Sequence, residues 1–147
     1  ILLKMRDRPP FLLHLLAFAF LLAAAIQVFG IFQLVRTWNW LSLAGFSPSP
    51  LAILLKSVFF ALAYLLSAVF LWARLPLAPG FGGAAFLLGT AWFWVDRLLL
   101  TSNAQPFKEH LFLLLANIIL LGLGLASLYL LVPYMKTMGL VQEDTDE

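Results

Sequence analysis

Long apolar runs separated by short polar links set the pattern of this chain. A helix that crosses a membrane needs about 20 mostly apolar residues to traverse roughly 30 Å of hydrocarbon. Four runs reach that length: residues 11–35, behind Pro9 and Pro10, then about 51–72, about 81–100 and about 111–132. Ser49 followed by Pro50 is a start signal for the second run, a hydroxyl cap before a proline at the first helical position. Pro79 and Gly80 lead into the third. Pro133 is expected to end the fourth, because proline lacks the backbone donor that would continue it. A membrane barrel would need alternating ten-residue segments, and the sequence has none. The links at 36–48, 73–80 and 101–106 are short, so neighbouring spans run antiparallel. The expected fold is all-α: one membrane domain over 1–147, an up-down four-helix transmembrane bundle. It is followed by a polar tail, 134–147, that closes on Glu143, Asp144, Thr145, Asp146 and Glu147.

Composition supports that reading. The chain is 63% hydrophobic and 11% charged, against roughly 25% charged residues in a soluble domain. So few charges cannot cover a water-exposed surface, which excludes a soluble enzyme and a disordered chain. Nine Lys/Arg against seven Asp/Glu give a net charge of +2. These form no large basic patch, so no nucleic-acid partner is expected. The chain has no cysteine, which removes disulfides, thiolate metal sites, iron–sulfur ligation and thiol catalysis. It contains no glycine-rich phosphate loop, no Gly-x-Ser-x-Gly elbow and no His-Glu-x-x-His zinc motif.

Lys4, Arg6 and Arg8 before an apolar run, with Ala23, Ala24 and Ala25 inside it, resemble the layout of a signal peptide. The run continues to Val35, longer than a signal core, so it is read as a retained span. Lys/Arg counts set orientation. Lys4, Arg6, Arg8, Arg74 and Lys136 fall on the terminal side, and Arg36, Lys56, Arg97 and Lys108 on the other. Three of the first five precede the first span, which places both termini in the cytoplasm of a plasma (inner) membrane. Trp38, Trp40 and Trp72, near span ends, are expected as interfacial anchors.

In lipid, helices associate by close packing of small residues and a few interhelical hydrogen bonds. Steps of three and four keep residues on one helix face. The third span carries Gly82, Ala85, Gly89, Trp92 and Asp96 on such a stripe, and the second carries Ser57, Ala61, Tyr64 and Ala68. The fourth has His110, Asn117, Gly124 and Ser127. These three stripes are the candidates for the interior, the alternative being that one of them faces another protein. The first span has His14, Gln27 and Gln33 on different directions and no single stripe of small residues. It is expected to meet a partner through Phe18, Phe20, Phe29 and Phe32.

Alternating direction brings Arg36, Lys56, Asp96, Arg97, Lys108, Glu109 and His110 to one membrane side. Asn117 joins them from the stripe of the fourth span. A lone charge within the membrane costs roughly 2.5–3.5 kcal/mol on insertion scales, so pairing is expected. Lys56 with Asp96 is the natural interhelical pair, with Arg97 as the competing partner. The cluster is thus either a structural ion pair with interfacial charges or a small polar pocket. Haem held by both histidines is excluded by depth, since His14 starts the first span and His110 starts the fourth on the opposite side. One histidine on a haem or chlorophyll is a lesser alternative. No cofactor is predicted, and a bound lipid is compatible with the surface.

The function expected on these grounds is that of a non-catalytic integral subunit of a larger membrane complex, with other membrane proteins and lipid as partners. Scarce intramembrane chemistry, little extramembrane mass and 14 phenylalanines motivate it. One alternative is a small carrier or lipid- or quinone-binding protein using the Lys56, Asp96 and His110 side. A second is a membrane enzyme built around Asp96 and His110.

Overall fold

The computed structural model describes residues 11–45, 49–100 and 107–140, except for the side chains of 99–100, 107–110 and 136–140. The basic residues at 4, 6 and 8 and the acidic tail at 143–147 lie outside the described residues, as do the side chains of Lys108, Glu109, His110 and Lys136. The described residues are helical throughout, apart from turns. They comprise α1 (Phe11–Arg36), a short α2 (Trp38–Leu43), α3 (Pro50–Trp72), α4 (Ala78–Val95) and α5 (Phe107–Leu140), with a π-helical turn, Asp96–Leu100, continuing α4. Four helices are long and apolar enough to cross a membrane. The chain is therefore a polytopic α-helical membrane protein, folded as an up-down bundle.

The ends of the helices obey local chemistry. Ser49 Oγ accepts from the Ala52 backbone N–H at 3.3 Å, and Pro50 occupies the first helical position. α3 ends in a Schellman turn. Leu75 N–H donates to Phe70 O at 3.0 Å and Arg74 N–H to Leu71 O at 3.1 Å. Arg74 thereby holds φ +53°, a left-handed position that glycine usually fills. α4 begins at Ala78, three residues earlier than expected, because proline is tolerated in the first helical turn and Pro79 sits there.

α5 corrects a larger expectation. It passes through Pro133 and runs on to Leu140, so residues 134–140 are helix and not the start of a free tail. The missing donor costs one helical bond, but the carbonyl it frees can be satisfied locally or by neighbours in a membrane protein. At 1.5 Å per residue, the 34 residues of α5 extend about 51 Å, well beyond the hydrocarbon thickness.

α1 and α3 form the most extensive contact in the bundle. α1 does have an inner stripe, contrary to expectation: Leu13, Ala17, Phe20, Ala24 and Leu34 are buried, with Gln27 and Ile31 half-buried between them. Steps of four and three alternate along the whole row, which is the seam spacing of packed helices. Ala17 and Ala24 let the backbones approach, as small residues do in membranes. Phe20 is 7% exposed and packs 6.1 Å, ring to ring, from Tyr64. It belongs to the interior and not to the outer surface with Phe18, Phe29 and Phe32, which are exposed.

The core is lopsided. Its central cluster takes Leu13, Ala17 and Phe20 from α1, Ala68 and Leu71 from α3, Ala78 from α4, and Leu128, Leu131 and Met135 from α5. All lie where α1 and α4 begin and α3 and α5 approach their ends. Among the described residues, α5 has no buried residue before Leu128 and α4 none after Ala85. The bundle is closed at this half and opens towards the other, where the buried residues among those described come from α1 and α3: Leu34, Ser57, Phe60 and Ala61.

Candidate functional site

The open half contains the polar residues singled out in the sequence. Two glycines set how α4 meets its neighbours there. At Gly89 a Cβ would overlap the Tyr64 hydroxyl of α3, and at Gly124 of α5 a Cβ would overlap the ring of Phe86. Each glycine is thus a notch for an aromatic side chain from the next helix. Ser57, Ala61 and Ala68 of the expected α3 stripe are buried and Tyr64 is half-buried, as expected. On α4, Gly82 and Ala85 are buried and Gly89 is half-buried, but Trp92 is 42% exposed.

Asp96, seven residues beyond Gly89, returns to the α3 face. Its Oδ2 accepts from Lys56 Nζ across the two helices, forming the interhelical ion pair that the topology called for. The side chains are 24% exposed for Lys56 and 33% for Asp96, so the pair lies at the margin of the packed interior. Asp96 also opens the π-helical turn. Such turns widen the helix and re-aim the side chains beyond them, and they recur at functional sites. Arg97, the competing partner, is half-buried in the same turn, and both it and Asp96 make further contacts.

The remaining candidates are more dispersed. Arg36 is exposed at the end of α1. Asn117 is half-buried, and its Nδ2 donates to Leu113 O of its own helix at 3.0 Å. That bond satisfies a polar side chain locally and leaves little drive to reach another helix. Gly82 against Leu128 and Gly124 against Phe86 set the antiparallel register of α4 and α5. By that register Asn117 stands at the level of Phe93, about one turn deeper than Asp96, and His110 at the level of Leu100, about one turn shallower. The side chains of Glu109 and His110 lie outside the described residues. His14 is exposed on α1, at the opposite end of the bundle from the start of α5. Among the described residues, no three of His, Asp and Glu gather as a metal site would need.

Sequence reasoning missed Gln27. The register that sets Phe20 against Tyr64 carries Gln27, seven residues on, to the level of Ser57, seven residues back. The inner face of the α1–α3 seam is therefore polar near the level of the ion pair. The signal was present as the alternating four-and-three spacing from Leu13 to Leu34. It was obscured because the row mixes leucine, alanine, phenylalanine and glutamine. Comparison of the chain with protein-family models, curated proteins and solved structures finds no match.

Proposed function

We propose that this chain is a non-catalytic integral subunit of a larger membrane complex, and that a partner protein seats in the open half of the bundle. The lopsided packing carries the reading. Among the described residues α5 buries three, Leu128, Leu131 and Met135, all towards one end, against six in α3 and five in α4. Association in lipid depends on contact between helices, and a helix so sparsely covered by its own bundle offers most of its circumference to another. The apolar residues Phe112, Leu115 and Ile119 of α5 and Phe93 of α4 are exposed in that half. We place the complex in the plasma (inner) membrane with cytoplasmic termini, from the basic residues ahead of the first span.

A photoreactive residue at Leu115 or Ile119, introduced singly, tests the proposal in native membranes. The expected result is a cross-link to one protein species that co-purifies in fixed stoichiometry. Cross-links to phospholipid alone from both positions, with the chain migrating as a monomer in mild detergent, refute it. The second reading, a lipid- or quinone-binding protein, is favoured by the partial exposure of the Lys56–Asp96 pair at the edge of the same opening. It predicts cross-links to one class of lipid or quinone and function of the isolated chain in liposomes.

A further inference from the structure

The link between the first two spans is not a plain loop, and its helix has three distinct faces. The hydrogen-bond ladder of α1 ends with Thr37 N–H on Gln33 O at 3.0 Å and resumes in α2 with Leu41 N–H on Thr37 O at 3.0 Å. Thr37 Oγ1 also donates to Gln33 O at 3.0 Å, a back-bond that bends helices. Thr37 itself has φ −101° and ψ 8°, outside the helical well. α2 then packs on both α1 and α3.

Its six residues divide into three pairs, each three apart. Trp38 and Leu41 are half-buried against the bundle. Asn39 and Ser42 are exposed and polar, with Ser42 Oγ donating to Asn39 O at 3.0 Å. Trp40 and Leu43 are apolar and 63% and 88% exposed. At 3.6 residues per turn, the polar pair points about 100° from the bundle-facing pair and about 100° from the exposed apolar pair. A helix running around the rim of a bundle in the membrane plane needs that order: protein inward, water above, lipid outward. A helix in a water-exposed loop has no use for the third face, and a helix continuing into the bilayer has none for the second.

We infer that α2 is an interfacial helix whose Trp40 and Leu43 insert into the phospholipid headgroup–acyl boundary. Continuity with the outward apolar surface of the first span supports this: α2 comes one residue after that span, and Phe29, Phe32 and Val35 at its end are exposed. Charge does too. Exposed Arg36 ends α1 two residues before α2 begins, and the sequence from Phe11 to Val95 contains no acidic residue. Interfacial helices bind through buried apolar area together with attraction to lipid phosphates. The inference does not depend on the partner proposed above, because it concerns the rim and not the open half.

The absence of native cysteine makes the test direct. The full chain is reconstituted in phosphatidylcholine–phosphatidylglycerol vesicles, with an environment-sensitive fluorophore on Leu43→Cys or, separately, on Ser42→Cys. The Leu43→Cys label should show blue-shifted emission, quenching by a nitroxide carried high on the lipid chain, and little quenching by aqueous iodide. The Ser42→Cys label, one residue away, should show the reverse. Equal iodide quenching at both positions would overturn the inference by placing α2 in water. A Leu43→Cys label shielded from both quenchers would overturn it by placing that face against protein.

Discussion

Removing the Asp96 carboxylate should destabilise the bundle by a predictable amount. Asp96→Ala leaves Lys56 with its ammonium at the membrane margin and without its carboxylate partner. Breaking a fully buried pair by removing one side costs roughly 3–5 kcal/mol, whereas exposed pairs are worth about 0.2–1 kcal/mol. At 24% and 33% exposure this pair falls between those limits. Lysine also recovers part of the loss by reaching towards water along its flexible stem. The expected cost is about 1–3 kcal/mol. Reversible unfolding in mixed micelles, with a helix-sensitive readout, measures it. Asp96→Asn should lose less than Asp96→Ala, since it keeps a hydrogen-bond acceptor for Lys56. Exchanging the charges, Lys56→Asp with Asp96→Lys, should recover part of the loss of either single change. A loss for Asp96→Ala below about 0.5 kcal/mol, the range of neutral surface changes, together with no recovery on exchange, would show that the contact contributes nothing to holding α3 on α4. If Asp96→Asn abolished the function of an intact complex, the pair would belong to a binding pocket and not to the scaffold.

Gly89→Ala should cost about 1–3 kcal/mol through overpacking against Tyr64 in the same unfolding assay, and Tyr64→Phe in the Gly89→Ala background should return part of it by removing the hydroxyl that the methyl meets. Arg74→Gly should raise stability by about 0.5–1 kcal/mol, since only glycine holds a left-handed backbone without steric cost; a decrease would mean that the arginine side chain makes contacts outweighing the strain. Single cysteines at Asn39 and Ala73 should be labelled by impermeant reagents from opposite sides of sealed vesicles, and labelling from one side would break the up-down topology. Leu13→Ala should destabilise more than Leu22→Ala, because the first empties a buried site and the second exchanges a side chain that faces outwards.

The parts legible in the sequence were those governed by length and by local rules. Twenty apolar residues can do little but span, so all four crossings and the cap at Ser49 were found within a few positions. The Lys56–Asp96 pair was legible because topology and the cost of lone membrane charges left few alternatives. The errors arose where a neighbour decides. Trp92 shares the periodicity of Gly89 and Asp96 but is exposed between them. Phe20 resembles its outward-facing neighbours until Tyr64 and Gly82 are known to stand opposite. Pro133 ends helices in water, where the freed carbonyl is solvated and the chain can turn away; in this setting the helix continues. The loose packing of one half had no sequence signature, since lipid-facing and partner-facing apolar residues are chemically alike.

The two halves of the ion pair are 40 positions apart, and no acidic residue is made before Asp96 once the first span has begun. At synthesis rates of about 5–20 residues per second, Lys56 emerges about 2–8 s ahead of its partner. During that interval α3 must hold a cation in or near the bilayer without its carboxylate. A lysine one to two turns from the helix end can do so by stretching to the headgroups, with α3 resting shallow or tilted. An aspartate in the same place has too short a stem. The order of the two charges therefore suits a chain inserted from its N-terminus: the side chain that can wait is made first.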